Sequence, residues 1–116
     1  MTISMTKKQE IIQQLLTSKT KAYQAEVKLL LKQRTNEASD VKNHGKELSR
    51  KIDNLIAETM SDWIGDADKF IGDVKFINTK IQRSINDINK NVNIAGSVVK
   101  LVGFIDEVVE IVNGIT

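Results

Sequence analysis

Cysteine and proline are absent from this 116-residue chain. Without cysteine there are no disulfides and no thiolate metal sites. That suits the cytosol, and equally a protein exported folded and disulfide-free. Without proline, the six glycines are the only strong helix breakers. Aromatic residues make up 4% of the chain, so its core has to be aliphatic. An aliphatic core packs well between helices but offers little for stacking a ring-shaped ligand or a base. An excess of one charge is missing too: 17 basic residues face 15 acidic ones, for a net charge of +2. That balance does not by itself imply nucleic acid. The most apolar stretch, Ile94 to Thr116, approaches membrane length but carries Lys100, Asp106, Glu107 and Glu110. Charges at mid-bilayer cost about 2.5–3.5 kcal/mol each, so no transmembrane span is expected. Met1 to Leu16 lacks the apolar core and small-residue cleavage site of a secretory signal. A cytoplasmic location is expected, with export lacking a cleaved signal peptide as the alternative.

What the chain does have is helical periodicity. From Trp63 onward, apolar residues recur every three or four positions: Ala67, Phe70, Val74, Ile77, Ile81, Ile85, Ile88, Val92, Ala95, Val99, Val102, Ile105, Val109 and Val112. This is close to the repeat of helices packed side by side, as in coiled coils. In the first half, Thr6-Lys7-Lys8-Gln9 reads as a capping box. The apolar face behind it runs through Ile12, Leu15, Leu16, Ala22, Tyr23, Val27, Leu30 and Leu31, interrupted by Lys19. Between Thr35 and Gly45 the pattern weakens, and either a poorly packed helix or a turn fits. It resumes at Leu48, Ile52, Leu55 and Ile56, then Met60. Gly65-Asp66-Ala67-Asp68 is the clearest break, with a glycine to end one helix and aspartates to cap the next. Asn89 to Gly96 is a third soft spot, but the stripe crosses it in phase, which favours one continuous helix.

An all-α fold follows, in one domain spanning residues 1–116. The preferred architecture is an antiparallel helical hairpin with arms at about 6–62 and 66–113 and its bend near Trp63-Gly65. Each arm would be about 70–85 Å long, at ~1.5 Å per residue. Such arms leave apolar stripes incompletely covered and call for a second chain, so pairing into a bundle is expected. The alternative is a monomeric four-helix bundle that buries its own core.

Chemistry finds little support. His44 is the only histidine and has no cluster of strong metal ligands around it in sequence. No serine sits in a glycine-bounded elbow, and the glycines are too dispersed to cradle a phosphate. No catalytic residue, metal or cofactor is expected. Charge is unevenly spread: Lys7 to Arg34 holds seven basic and two acidic residues, whereas Leu101 to Thr116 holds three acidic and none basic. Folding back at Gly65 would bring Lys19 and Lys21 level with Asp106, Glu107 and Glu110. The C-terminal stretch presents a wide apolar face through Val98, Leu101, Val102, Ile105, Val108, Val109 and Val112, which suits a protein partner or a bundle core. Acids rather than lysines on its polar side disfavour a membrane surface.

Ser61-Asp62-Trp63-Ile64-Gly65-Asp66-Ala67-Asp68-Lys69-Phe70 places a Trp-x-Gly motif near mid-chain, between two proline-free helical halves. In this the chain resembles the small WxG proteins of type VII secretion systems, helical hairpins with the motif at the bend. The resemblance implies that Trp63, Gly65 and Phe70 hold the bend. It also implies a protein partner, in a homodimer or a heterodimer with another helical protein. The family's C-terminal export signal, an aromatic followed four positions later by an acid, is not found, since Phe104 is followed there by Val108. That departure implies the signal-less member of a heterodimer, or a chaperone-like adaptor escorting a larger helical toxin. The expected interface is Val74, Ile77, Ile81, Ile85, Ile88, Val92, Val99, Val102, Ile105 and Val109. Two other readings stay open: a cytosolic four-helix-bundle adaptor or regulator, and a membrane-active protein using Ile94 to Thr116.

Overall fold

The computed structural model describes residues 3–58 and 63–115. Four helices build it: α1 (Met5–Leu31), α2 (Thr35–Glu58), α3 (Ala67–Asn89) and α4 (Ile94–Ile115). No β-strand occurs among the described residues. The first arm's expected end at Asp62 and the stripe position Met60 lie outside the described residues.

Each helix carries a core track with alternating three- and four-residue steps. On α1 it is Ile11, Leu15, Ser18, Ala22, Ala25 and Leu29, all buried. On α4 it is Val98, Leu101, Ile105, Val108, Val112 and Ile115. Such a track keeps one face of a helix turned toward its neighbours along its whole length. Small residues at mid-track let helices approach closely. A Cβ added to Gly45 of α2 would lie 3.6 Å from the Ala22 Cβ of α1, ordinary contact distance.

The packing pattern fixes the topology. α1 and α4 each pack against both α2 and α3, while α1 and α4 meet only slightly across one diagonal. α2 and α3 occupy the other diagonal. Two antiparallel hairpins, α1/α2 and α3/α4, therefore stack side by side with α1 parallel to α3. Cross-links rise in the same order along that pair: Lys7 to Asp68 at 2.9 Å, Lys21 to Gln82 at 2.6 Å and Lys32 to Asn91 at 2.8 Å. Buried in the same seam, Ser18 donates to the Asn78 side-chain carbonyl, and the Asn78 amide donates to the Gln14 carbonyl at 3.1 Å. Breaking such a buried pair leaves a polar group unpaired, at a cost of about 1–3 kcal/mol.

Several expectations need correction. The two unbroken arms are not present. The molecule measures 46 × 22 × 17 Å, well short of a ~70–85 Å arm. The first arm breaks at Lys32–Arg34, where Gln33 takes a left-handed φ of 62°. The weak segment after it is helical, with Ala38 and Val41 buried. The second arm breaks before α4, where Asn91 and Asn93 have φ of 59° and 40°. Asparagine tolerates that conformation better than most residues. The turn shifts the register by one residue, so Val92, Ala95 and Val99 are exposed and Val98 and Leu101 are buried. α1 begins at Met5, with the Ser4 hydroxyl accepting from the Lys7 N–H at 3.3 Å, rather than at a Thr6 capping box. Its inward face is also rotated from the expected one: Leu16, Tyr23, Leu30 and Leu31 are exposed. Lys21 meets Gln82 on α3, because α1 and α4 are diagonal; Asp106 faces His44 of α2 instead, at 2.6 Å.

Candidate functional site

The Trp-x-Gly segment lies where the chain passes diagonally from α2 to α3. Trp63 is fully buried, and its indole N–H donates to the Leu55 carbonyl at 3.3 Å. The Trp63 carbonyl accepts from the Ile3 N–H at 3.4 Å, and the Ile64 N–H donates to the Ile115 carbonyl at 3.2 Å. The crossing is thus tied to the segment before α1 and to the end of α4. Gly65 has φ of +111°, and a Cβ there would stand 3.0 Å from two carbons of the half-buried Phe70 ring. Asp66 then caps α3, its carboxylate accepting from the Lys69 N–H at 3.1 Å. Beside it, the hydrogen bond and charge of Asp68, with Glu10 behind them, hold the Lys7 ammonium above its ordinary pKa. Lys69 is raised in the same way by its hydrogen bond to Asp73. All of this closes one end of the core, and the residues involved serve the fold.

The residues expected to meet a second chain are mostly spent inside this one. Val74, Ile77, Ile81, Ile85, Ile88 and Ile105 are buried in the bundle's own core. Val102 and Val109 are half-buried and pack against it. Only Val92 and Val99 remain exposed, at the α3/α4 turn and in the early turns of α4. An inter-chain role does not attach to the stripe as a whole.

Two outer grooves are better candidates. One, of about 410 Å³, runs between α1 and α2 and is lined by Tyr23, Lys19, Glu26, Lys42, Gly45 and Lys46, among others. The other, of about 430 Å³, runs between α3 and α4 around Phe76, Asp73, Lys80, Glu107, Glu110 and Ile111. Tyr23 and Phe76 are each 63% exposed. The Lys80 ammonium sits over the Phe76 ring, 4.4 Å from its centre, and 5.5 Å from the centre of Phe104. That cation–π contact helps to hold the ring in place, and the ring stays largely exposed. No family model, curated protein or solved structure matches this chain. Its function has to be read from these surfaces.

Among the described residues, no group of three or more His, Cys, Asp and Glu side chains is placed to hold a metal ion. No helix among them is long and apolar enough to cross a membrane. Sequence reasoning missed both groove aromatics, assigning Tyr23 to the core and leaving Phe76 unremarked. A signal for Phe76 was present: it falls one position before the stripe residue Ile77, on a face with Asp73 and Lys80.

Proposed function

We propose that the protein is a non-enzymatic helical interaction protein, a self-contained four-helix bundle acting as an adaptor or regulator. The observation that carries this reading is the pair of exposed aromatics, each set in a groove between two helices of a bundle whose core is already closed. Burying the exposed part of such a side chain is worth about 1–2 kcal/mol, which the isolated chain forgoes twice. A helix or a helix pair laid along the groove recovers it, by the usual docking of an amphipathic helix into an apolar cleft. The test is a photo-crosslinking amino acid placed at Tyr23, at Phe76, or at exposed Asn54 as control, in cells that normally make the protein. Adducts from positions 23 and 76, and few from 54, are expected. Equal yields from all three would overturn the reading.

A second reading keeps the likeness to type VII secretion partners. It is favoured by the position of Trp63 and Gly65 at the junction of the two helical halves, with the indole closing the core. Each half is a hairpin in its own right rather than a single arm, so partner and export are proposals here. Intact, unprocessed chain accumulating in the medium of a host with such a system, and absent when its ATPase is deleted, would favour it. Retention in the cell would count against it.

A further inference from the structure

The two grooves are opposite in charge. Three lysines to one glutamate line the α1/α2 groove; Asp73, Glu107 and Glu110 to one lysine line the α3/α4 groove, and with Asp73 already paired to Lys69 at 2.8 Å, Glu107 and Glu110 are the carboxylates it offers a partner. They are of similar size, each is lined by an exposed aromatic ring, and they lie on opposite sides of the stacked hairpins. We propose that the α1/α2 groove of one copy docks against the α3/α4 groove of another. This deepens the interaction reading and rests on it, naming a second copy of this chain as the partner.

The chemistry of the fit is specific. Tyr23 would pack against Phe76 of the neighbouring copy, while Lys42 and Lys46 approach its Glu107 and Glu110. Aromatic pairing supplies the buried area, and the charges steer and orient the encounter. Exposed charges are screened within roughly 8–10 Å at ordinary salt, so the contact weakens as ionic strength rises. Because the two surfaces differ, every contact leaves one free groove on each copy. Such a contact is heterologous, and copies add one after another instead of closing as a two-fold dimer. An acidic helix from an unrelated protein would use the α1/α2 groove alone and leave Phe76 idle.

The test is sedimentation velocity of the purified chain over a concentration series at low and high salt, with Tyr23→Ala and Phe76→Ala alongside. Both rings are exposed, so the variants should keep the helical signal in circular dichroism. Should either lose it, Lys46→Gln and Glu107→Gln replace them. The wild type is expected to form species beyond the dimer at low salt and to dissociate at high salt. Each variant alone should associate at least about tenfold more weakly, a loss of about 1.4 kcal/mol or more. An equimolar mixture of the two variants retains one intact pairing, Tyr23 of one against Phe76 of the other, and should stop at a dimer. A wild type that stays monomeric to millimolar concentration, a closed dimer, or a Phe76→Ala variant that associates like the wild type would each overturn the proposal. If the chain stays monomeric while crosslinks at positions 23 and 76 capture other proteins, self-association falls and the broader interaction reading stands.

Discussion

Trp63 fills the end of the core where the chain crosses from one hairpin to the other. Its ring has no surface exposed, and its N–H is satisfied by the Leu55 carbonyl. Removing it opens a cavity where the crossing meets the segment before α1 and the end of α4. Trp63→Ala is expected to destabilise the protein by about 3–5 kcal/mol in urea unfolding. A change within about half a kcal/mol, the range of ordinary surface substitutions, would show that the indole is not in the core. Gly65 is constrained twice, by its positive φ and by the Phe70 ring beside it. Gly65→Ala should cost about 1–3 kcal/mol, the usual strain of an L residue in that region. An unchanged unfolding midpoint would contradict this account of the turn. The exposed ion pairs matter less. Arg50, through its hydrogen bond, holds Glu47 below its ordinary pKa. The small stabilisation that follows is present above the ordinary carboxylate range and lost on acidification.

At the level of the helix, the informative residues are those that break the apolar pattern. The helical period of α3 was legible because Val74, Ile77, Ile81, Ile85 and Ile88 are large, apolar and in phase. The break at Gly65 was legible because glycine followed by a capping aspartate has a local physical meaning. The inward face of α1 was legible only in part, at Leu15 and Ala22. Its core positions include Ser18, Ala22 and Ala25, chosen for close approach, while the larger Leu16, Tyr23, Leu30 and Leu31 point outward. Hydrophobicity alone ranks those two sets the wrong way round. The turn before α4 was hidden for a different reason: Val92, Ala95 and Val99 preserve the spacing across it although all three are exposed. What makes the turn is asparagine chemistry. Asn91 and Asn93 adopt left-handed backbone, and the Asn93 side-chain carbonyl accepts from the Gly96 N–H at 3.3 Å at the start of α4. Asn93→Ala loses that cap and the tolerance of positive φ together. A loss of about 0.5–2 kcal/mol is expected from thermal or urea unfolding. An Asn93→Ala protein as stable as the wild type would mean that packing alone sets the turn.

The whole molecule joins two hairpins by one diagonal crossing, and this arrangement decides which surfaces are free. Stacking the hairpins uses up the stripe that looked available for a second chain. It leaves the outer grooves, with Tyr23 on one side and Phe76 on the other. Neither groove could be read from the sequence, because each is shared between helices whose relative rotation depends on the small core residues and the asparagine turn. The central claim is that one chain closes its own core. Small-angle X-ray scattering on dilute protein at high salt, where contacts between copies are suppressed, measures this most directly. The account predicts a compact particle, with a radius of gyration a little above the 14.6 Å of its Cα atoms and a longest dimension modestly above their 46 Å, side chains and hydration adding the difference. A rod of about 70–85 Å, the length of an unbroken helical arm, would contradict it.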